Sequence, residues 1–330
     1  MKKTTNLLQI LPVIFSLLYV SGCSKEKEDV VISPPIVTTA AVDEVTANTA
    51  VCGGTITSDG NDEITGRGVC WSRSPTPTIN NDKTRDGTGS GDFTSSITGL
   101  YGNTTYYVRA YAINSASVGY GNDISFTTEE EITEPVADID GNIYNTVAIG
   151  SQVWIAENLK VTHFRNGDPI PDITDDTEWE NNTTGAYCNY NNNTTLADIY
   201  GRLYKWEAVD DSRNISPVGW HVASANEWRT LVDFLGGEEV AGGKMKQTGS
   251  SWVSPNTGAT NESGFSALPG GCRRHDGDYI WIGEIAKFWS STHSYDDNAY
   301  SFTLYSGDSQ ISEGNGGTGG FGFSVRCVKD

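Results

Sequence analysis

The chain has 330 residues, with 22 Lys+Arg against 42 Asp+Glu, a net charge of −20 and 10% aromatics. That length suits about two domains, and 9 Trp, 15 Tyr and 10 Phe supply enough bulk for packed cores, which excludes a globally disordered chain. So acidic a body lacks the basic footprint of a nucleic-acid binder and is unsuited to direct adhesion to anionic lipid.

Lys2 and Lys3 precede an apolar run from Leu7 to Val20. The run is too short and too close to the start for a membrane span and reads as a signal-peptide core. It ends in Val20-Ser21-Gly22-Cys23, which resembles a bacterial lipobox. The resemblance implies loss of residues 1–22 and acylation of Cys23; a plain secretory peptide with a chance Cys is the alternative. Losing Lys2 and Lys3 leaves a body two charges more acidic than the whole chain. Several acyl chains on one residue hold a protein at a membrane where one chain is marginal. The expected partner is therefore a membrane through a lipid anchor, and the expected address is the cell envelope as an outer-membrane lipoprotein. The charged start Ser24-Lys25-Glu26-Lys27-Glu28-Asp29, opening a tether over 23–34, agrees with surface exposure.

Residues 35–128 alternate apolar and polar in short runs: Ala50 to Ile56, Gly68 to Trp71, and Thr105 to Ala112. Turn signals such as Ser58-Asp59-Gly60-Asn61 separate them, which predicts an antiparallel all-β sandwich. In the third run Tyr106, Val108, Ala110 and Ala112 face one way, and Tyr107, Arg109 and Tyr111 the other. Leu100-Tyr101-Gly102-Asn103-Thr104-Thr105-Tyr106 resembles the Leu-x-Pro-x-Thr-x-Tyr signature of fibronectin type III domains, with Gly102 in place of Pro. The resemblance implies a tyrosine corner at Tyr106, a core Leu100 and a central Trp71, and no catalytic residues. A charged linker over 129–137 follows, Glu129-Glu130-Glu131-Ile132-Thr133-Glu134-Pro135.

Residues 138–330 hold most of the Trp. Gly150-Ser151 marks a hairpin between Val147 and Trp154. Ser224 with Glu227 three residues on is a capping box, followed by Trp228, Leu231, Val232 and Leu235 at helical spacing and a stop at Gly236-Gly237. Tyr200, Leu203 and Tyr204 at i, i+3 and i+4 predict a second helix over about 199–209. The Gly-rich stretch Gly314 to Gly322 reads as a flexible connection before a last strand. Few helices among many strands and long loops give an α+β domain.

Several segments resemble the Fibrobacter succinogenes major paralogous domain. They include Asp140-Gly141-Asn142-Ile143-Tyr144, Trp154 to Lys160, Tyr200-Gly201-Arg202-Leu203-Tyr204-Lys205-Trp206, Gly219 to Ser224, Phe288 to Thr292 and Phe323 to Val328. A looser resemblance, in the Trp-bearing helix, a Trp-Ser-Ser strand and the last Gly-Phe-x-x-Arg-Cys strand, is to the C-type lectin-like fold. It implies a fold and not a function. The calcium-holding triplets of sugar-binding C-type lectins do not occur here, so calcium has no motif behind it. No cofactor is expected.

Of six Cys, Cys23 is expected to be acylated, leaving five. No CxxC occurs, which argues against a zinc ribbon or thioredoxin-like site. An exported protein permits disulfides, and Cys52 with Cys70 form one possible bridge. The family resemblance implies Cys188 with Cys327, leaving Cys272 free. Spacing alone leaves the pairing open.

Catalytic signatures are missing. The four His (His163, His221, His275 and His293) make no His-Glu-x-x-His, and neither a nucleophile elbow nor a phosphate loop appears. His221 reads as structural. The run Asp172 to Glu180 is acidic but lacks EF-hand spacing and reads as a solvated loop. Aromatics beside Asn and Asp can stack on a pyranose ring, so Trp179, Tyr187, Tyr190, Tyr279 and Trp281 are candidate ligand contacts, with His275, Asp276 and Asp278 from one polar loop. Each aromatic is also a candidate for the core.

These features predict a non-enzymatic, lipid-anchored envelope protein whose β-sandwich stalk presents a head for adhesion, binding a glycan or a surface protein. Two rivals stand beside it: an envelope enzyme acting on polysaccharide or protein through the same head, and a structural subunit of a surface assembly.

Overall fold

The computed structural model describes residues 30–294, 298–316 and 320–330. Cys23, the segment 1–22 and the first part of the tether lie outside the described residues.

Alternating runs in the N-terminal part form two facing antiparallel sheets. One contains β1 (Ile36–Thr39), β2 (Thr49–Ser58) and β5 (Gly91–Thr98), in that order. The other contains β3 (Gly66–Ser72), β4 (Asp82–Lys83), β6 (Thr105–Ile113), β7 (Val118–Tyr120) and β8 (Ile124–Thr127), with β6 paired to three of them. Tyr106, Val108, Ala110 and Ala112 are all buried, as the alternation requires, against Val37, Ala50, Ile56, Trp71 and Ile97. Tyr111 is expected outside but is buried as well, because its hydroxyl donates to Thr84 O at 2.6 Å. Tyr106 Oη accepts from Tyr101 N at 3.1 Å and pins the corner before β6, with Leu100 buried beside it.

The C-terminal part is a set of small sheets wrapped by helices. The hairpin Thr146–Ile149/Gln152–Ile155 turns at Gly150-Ser151 as expected. It joins the last strand, Cys327–Lys329, which also pairs with Trp220–Val222. This draws the end of the chain back to the middle of the sequence. A second sheet runs Tyr187–Cys188, Leu203–Lys205, Gly322–Phe323, Cys272–Arg273, Tyr279–Ile280. A third holds Ile285–His293, Ala299–Tyr305 and Ile311–Asn315.

The helices are α1 (Asp176–Asn181), α2 (Thr194–Tyr200), α3 (Trp206–Val209), α4 (Ala225–Phe234) and α5 (Glu238–Met245). In α4 the predicted capping box is complete: Ser224 N donates to Glu227 Oε2 at 2.7 Å and Glu227 N to Ser224 Oγ at 3.3 Å. Trp228, Leu231 and Val232 are its buried face. The helix expected over 199–209 is instead the end of α2, a strand, and α3. Leu203 and Tyr204 pair with Cys188 and Tyr187, and Tyr204 also with Phe323, so ladder bonds replace the helical ones. The Gly-rich stretch also differs from expectation. Gly314 lies in a strand, and Gly322 pairs with Lys205 and Arg273, while 317–319 lie outside the described residues.

Two aromatic cores hold this part together. One stacks Trp228 on Phe302 at 5.0 Å and packs it against Trp154, Phe265 and Phe288. The other gathers Tyr144, Tyr204, Trp206, Trp220, Trp289 and Phe323.

Candidate functional site

The five-stranded sheet brings together the two stretches singled out in the sequence, 172–192 and 272–282. It sorts the candidate aromatics by accessibility. Trp179 is fully buried, Tyr187 and Tyr190 are buried, Tyr279 is half-buried, and Trp281 is 51% exposed. Trp179, Tyr187 and Tyr190 therefore cannot stack on a ligand and are corrected to core residues. Trp179 donates Nε1 to Arg274 O at 3.0 Å, and Gly322 lies so close that a Cβ there would meet its ring at 3.0 Å. Tyr187 carries Arg202 over its ring, and Tyr190 packs on Tyr279 at 5.3 Å. Tyr279 Oη donates to Asn192 Oδ1 at 2.7 Å, which ties the two stretches together.

Arg273 organises this region. It is fully buried, stacks over Trp179 at 4.4 Å, and donates to the carbonyls of Gly277, Ile173 and Thr174 and to Asp176 Oδ1 at 2.7 Å. The acidic run expected as a solvated loop thus contains helix α1. Asp175 caps it by accepting from Glu178 N at 2.9 Å, and Asp176 is the ion-pair partner of Arg273. The tip beyond Arg273 is a tight turn in which Arg274 N donates to Asp278 O and Gly277 N to Arg274 O. His275 and Asp278 are exposed on it, and Asp276 pairs with Arg274 at 3.1 Å.

Trp281 sits at the far end of this region with φ 64°, a left-handed conformation that a bulky side chain rarely adopts. Glu284 N and Ile285 N both donate to its carbonyl, Gly283 N bonds Pro269 O, and Val253 N bonds Gly283 O. Bonds on each side of the turn impose the conformation.

The five described cysteines, Cys52, Cys70, Cys188, Cys272 and Cys327, are buried free thiols, so the expected Cys52–Cys70 and Cys188–Cys327 bridges are not formed. Cys52 and Cys70 lie on opposite sheets, the first donating to Ala40 O and the second to Arg109 O. Cys188 and Cys327 belong to different sheets and different core clusters. Burial pushes the Cys188 thiol up to about 12 and those of Cys70 and Cys272 up to about 11. Such thiols are neutral and poorly nucleophilic.

His221 is clamped by carboxylates, Nε2 to Glu227 Oε1 and Nδ1 to Asp330 Oδ1, both at 2.7 Å. Burial works against its charge, but the bonds from Asp330 and Glu227 win and raise its pKa. This matches the structural role expected of it. Among the described residues no group of three or more His, Cys, Asp or Glu side chains is arranged to hold a metal ion, and no helix is long and apolar enough to cross a membrane.

The Fibrobacter succinogenes major domain model matches residues 147–329, more than half of the chain. The chain belongs to that family. No curated protein matches it significantly. Solved structures also align with part of it. One is the third fibronectin III domain of the human KIAA0343 protein, at 19% identity, covering 34% of this chain and 95% of that one, with a TM-score of 0.23. Another is the sensor domain of the anti-sigma factor RsgI4 from Pseudobacteroides cellulosolvens, at 18% identity, 30% and 97% coverage and a TM-score of 0.22. A fibronectin type III domain from the human KIAA0970 protein aligns at 16% identity, 30% and 76% coverage and a TM-score of 0.22.

Within the Fibrobacter succinogenes major domain, the residues that sequence reasoning missed are buried cations. Lys246 is fully buried and donates to the carbonyls of Thr257, Tyr305 and Asp308 at 2.6–2.9 Å. Lys205, also fully buried, donates to Trp179 O and Asn182 O at 2.7 Å. Arg326 is held by Asn158 Oδ1 and the carbonyls of Ile155, Phe265 and Ser266. Each ties together loops distant in sequence, and each meets the desolvation cost of a buried charge with multiple acceptors. The signal was slight: each lies beside an aromatic, a Met or a Cys, as in Tyr204-Lys205-Trp206, Met245-Lys246 and Arg326-Cys327. Clefts of about 450 and 460 Å³ lie where the sandwich meets the family domain, and their linings include neither His275 nor Trp281.

Proposed function

We propose that this is a lipid-anchored protein of the cell envelope, held at the outer membrane through Cys23 and exposed at the surface. In this reading the sandwich is a stalk, and the family domain is a non-enzymatic, C-type-lectin-like head that binds glycan without a cofactor. The observation that carries the binding reading is Trp281. It presents about half of a large aromatic surface to solvent from a backbone conformation that costs free energy. Strain of this kind persists only where the surrounding bonds over-determine it, and residues so held cluster at functional sites. A rigid indole face suits stacking on the apolar face of a neutral pyranose, and the acidic surface disfavours anionic polymers. His275 and Asp278 are exposed on the turn at the opposite end of the Cys272–Arg273/Tyr279–Ile280 hairpin, where a glycan chain long enough to span it from Trp281 would meet polar groups.

The test is binding of the full-length protein to a panel of neutral and anionic polysaccharides. Neutral-glycan retention that falls at least tenfold in Trp281→Ala supports the reading. Retention unchanged in Trp281→Ala overturns it, as does capture of none of the panel. Metabolic labelling with a radioactive fatty acid tests the anchor: Cys23→Ala is expected to abolish incorporation, and persistent incorporation overturns the anchoring.

A further inference from the structure

We infer that the sandwich and the family domain are clasped into one rigid body through Phe234, and that the acidic segment between them is a strap and not a flexible linker. Connected domains move relative to one another unless a specific interface fixes them, so the inference rests on how many separate groups meet here.

Phe234 is the last residue of α4. Its ring meets Tyr101 edge-on at 5.2 Å, and the Arg73 guanidinium lies over it at 4.7 Å. Arg73 Nη1 also donates to Phe234 O at 2.9 Å, so one residue is held by its ring and by its backbone. The two sandwich partners are themselves fixed. Arg73 directly follows β3, and Tyr101 N is the donor of the tyrosine corner. From beneath, the hairpin turn at Gly150 reaches the same ring, where a Cβ would meet Phe234 Cδ2 at 2.8 Å.

The connecting segment is bonded at both ends. Glu129 N donates to Thr46 O, Asn103 N donates to Glu129 O, and Gly102 abuts Glu131. On the other side Thr133 Oγ1 donates to Thr146 O at 2.7 Å and Thr146 Oγ1 to Glu134 O at 3.0 Å. Ile132, 89% exposed, is the residue between the two attachments. One residue gives too little slack for independent tumbling. The direction in which the head points is thereby set by the sandwich.

The test uses the full-length protein and a glutamate-specific protease, for which Glu129, Glu130 and Glu131 are cleavage points and Glu134, followed by Pro135, is not. Slow cleavage in the strap is expected, with acceleration of at least tenfold in Phe234→Ala and in Arg73→Ala. Small-angle scattering is expected to show a single particle shape that broadens in both variants. Far-ultraviolet circular dichroism distinguishes release from unfolding. If Phe234→Ala unfolds the head, Arg73→Ala, which alters only a sandwich side chain, decides. The inference is overturned if the unaltered protein is cut in the strap as fast as Arg73→Ala, or if its scattering already requires a spread of orientations.

Discussion

The Arg273 guanidinium lies over the Trp179 ring, its Cζ 4.4 Å from the centroid, in a region where both side chains are out of contact with solvent. The planar fork uses its edge for three carbonyls and Asp176 and its face for the indole. Lysine has the charge but neither the fork nor the face. Arg273→Lys is expected to lower unfolding free energy by about 2–4 kcal/mol, since hydrogen bonds to a charged group contribute about 1.5–3 kcal/mol each and some survive. Trp179→Ala is expected to cost about 3–5 kcal/mol as a large-to-small core change. Denaturant titration checks both, and a loss under about 1 kcal/mol in either would remove Arg273 from its organising role.

Lys246 makes a parallel case without a carboxylate in its hydrogen-bonding shell. Burial pushes its ammonium down to about 8, so at pH 7 it still holds its proton and donates to three carbonyls. Lys246→Met preserves the length and strips the donors, leaving those carbonyls without their charged partner. A loss of about 1–3 kcal/mol is expected, the cost of leaving buried carbonyl acceptors without a donor. Thermal unfolding at pH 7 measures it, and a Lys246→Met protein as stable as the original would contradict the account.

His221 supplies a pH dependence of definite sign. Its folded pKa is raised above the unfolded value of about 6.5. Its contribution is therefore complete below about pH 6.5 and fades as pH rises through the raised folded value. The side chain is 37% exposed, so screening limits the effect to under about 1 kcal/mol. Melting temperature should fall between the original and His221→Gln at mildly acid pH, and the gap should narrow as pH rises. A gap that widens with pH would reverse the assignment.

The buried thiols give a chemical readout. In the native protein none of Cys52, Cys70, Cys188, Cys272 and Cys327 should react with a thiol-specific dye, and all five should react after unfolding without a reductant. Reductant should leave the melting temperature unchanged. Fewer than five reactive thiols in the unfolded, unreduced protein would reveal bridges.

Trp281 separates stability from binding. Glycine occupies the left-handed region without the strain that alanine meets there, roughly 1 kcal/mol. Trp281→Gly should therefore be more stable than Trp281→Ala by about that amount, while both lose the indole. Equal stability of the two would remove the strain argument for this residue.

Local signals survived folding where one element satisfied itself. The Ser224–Glu227 box, the Gly150-Ser151 turn and the alternation of β6 each close bonds or faces within about ten residues. Residues 199–209 failed because Tyr200, Leu203 and Tyr204 fit helical spacing equally well, and the deciding partners, Tyr187 and Phe323, lie far off in sequence. The aromatic candidates were legible as a set but not as individuals. Trp179 stands in an acidic run and Trp281 between two isoleucines, yet the fold buries the first and exposes the second, the reverse of what those neighbours suggest. The buried Lys and Arg were hidden by the ordinary expectation that charge lies outside.

Those internal cations grip main-chain oxygens, which every residue carries whatever its side chain. A loop hung from Arg273 or Lys246 keeps its anchorage when the residues at its tip are exchanged. The exposed positions of the turn at 274–278, such as His275 and Asp278, can therefore change while its feet stay in place, whereas Gly277, at φ 93° and pressed against Asp176, cannot. Such an arrangement lets the outward face of the scaffold change without rebuilding its interior.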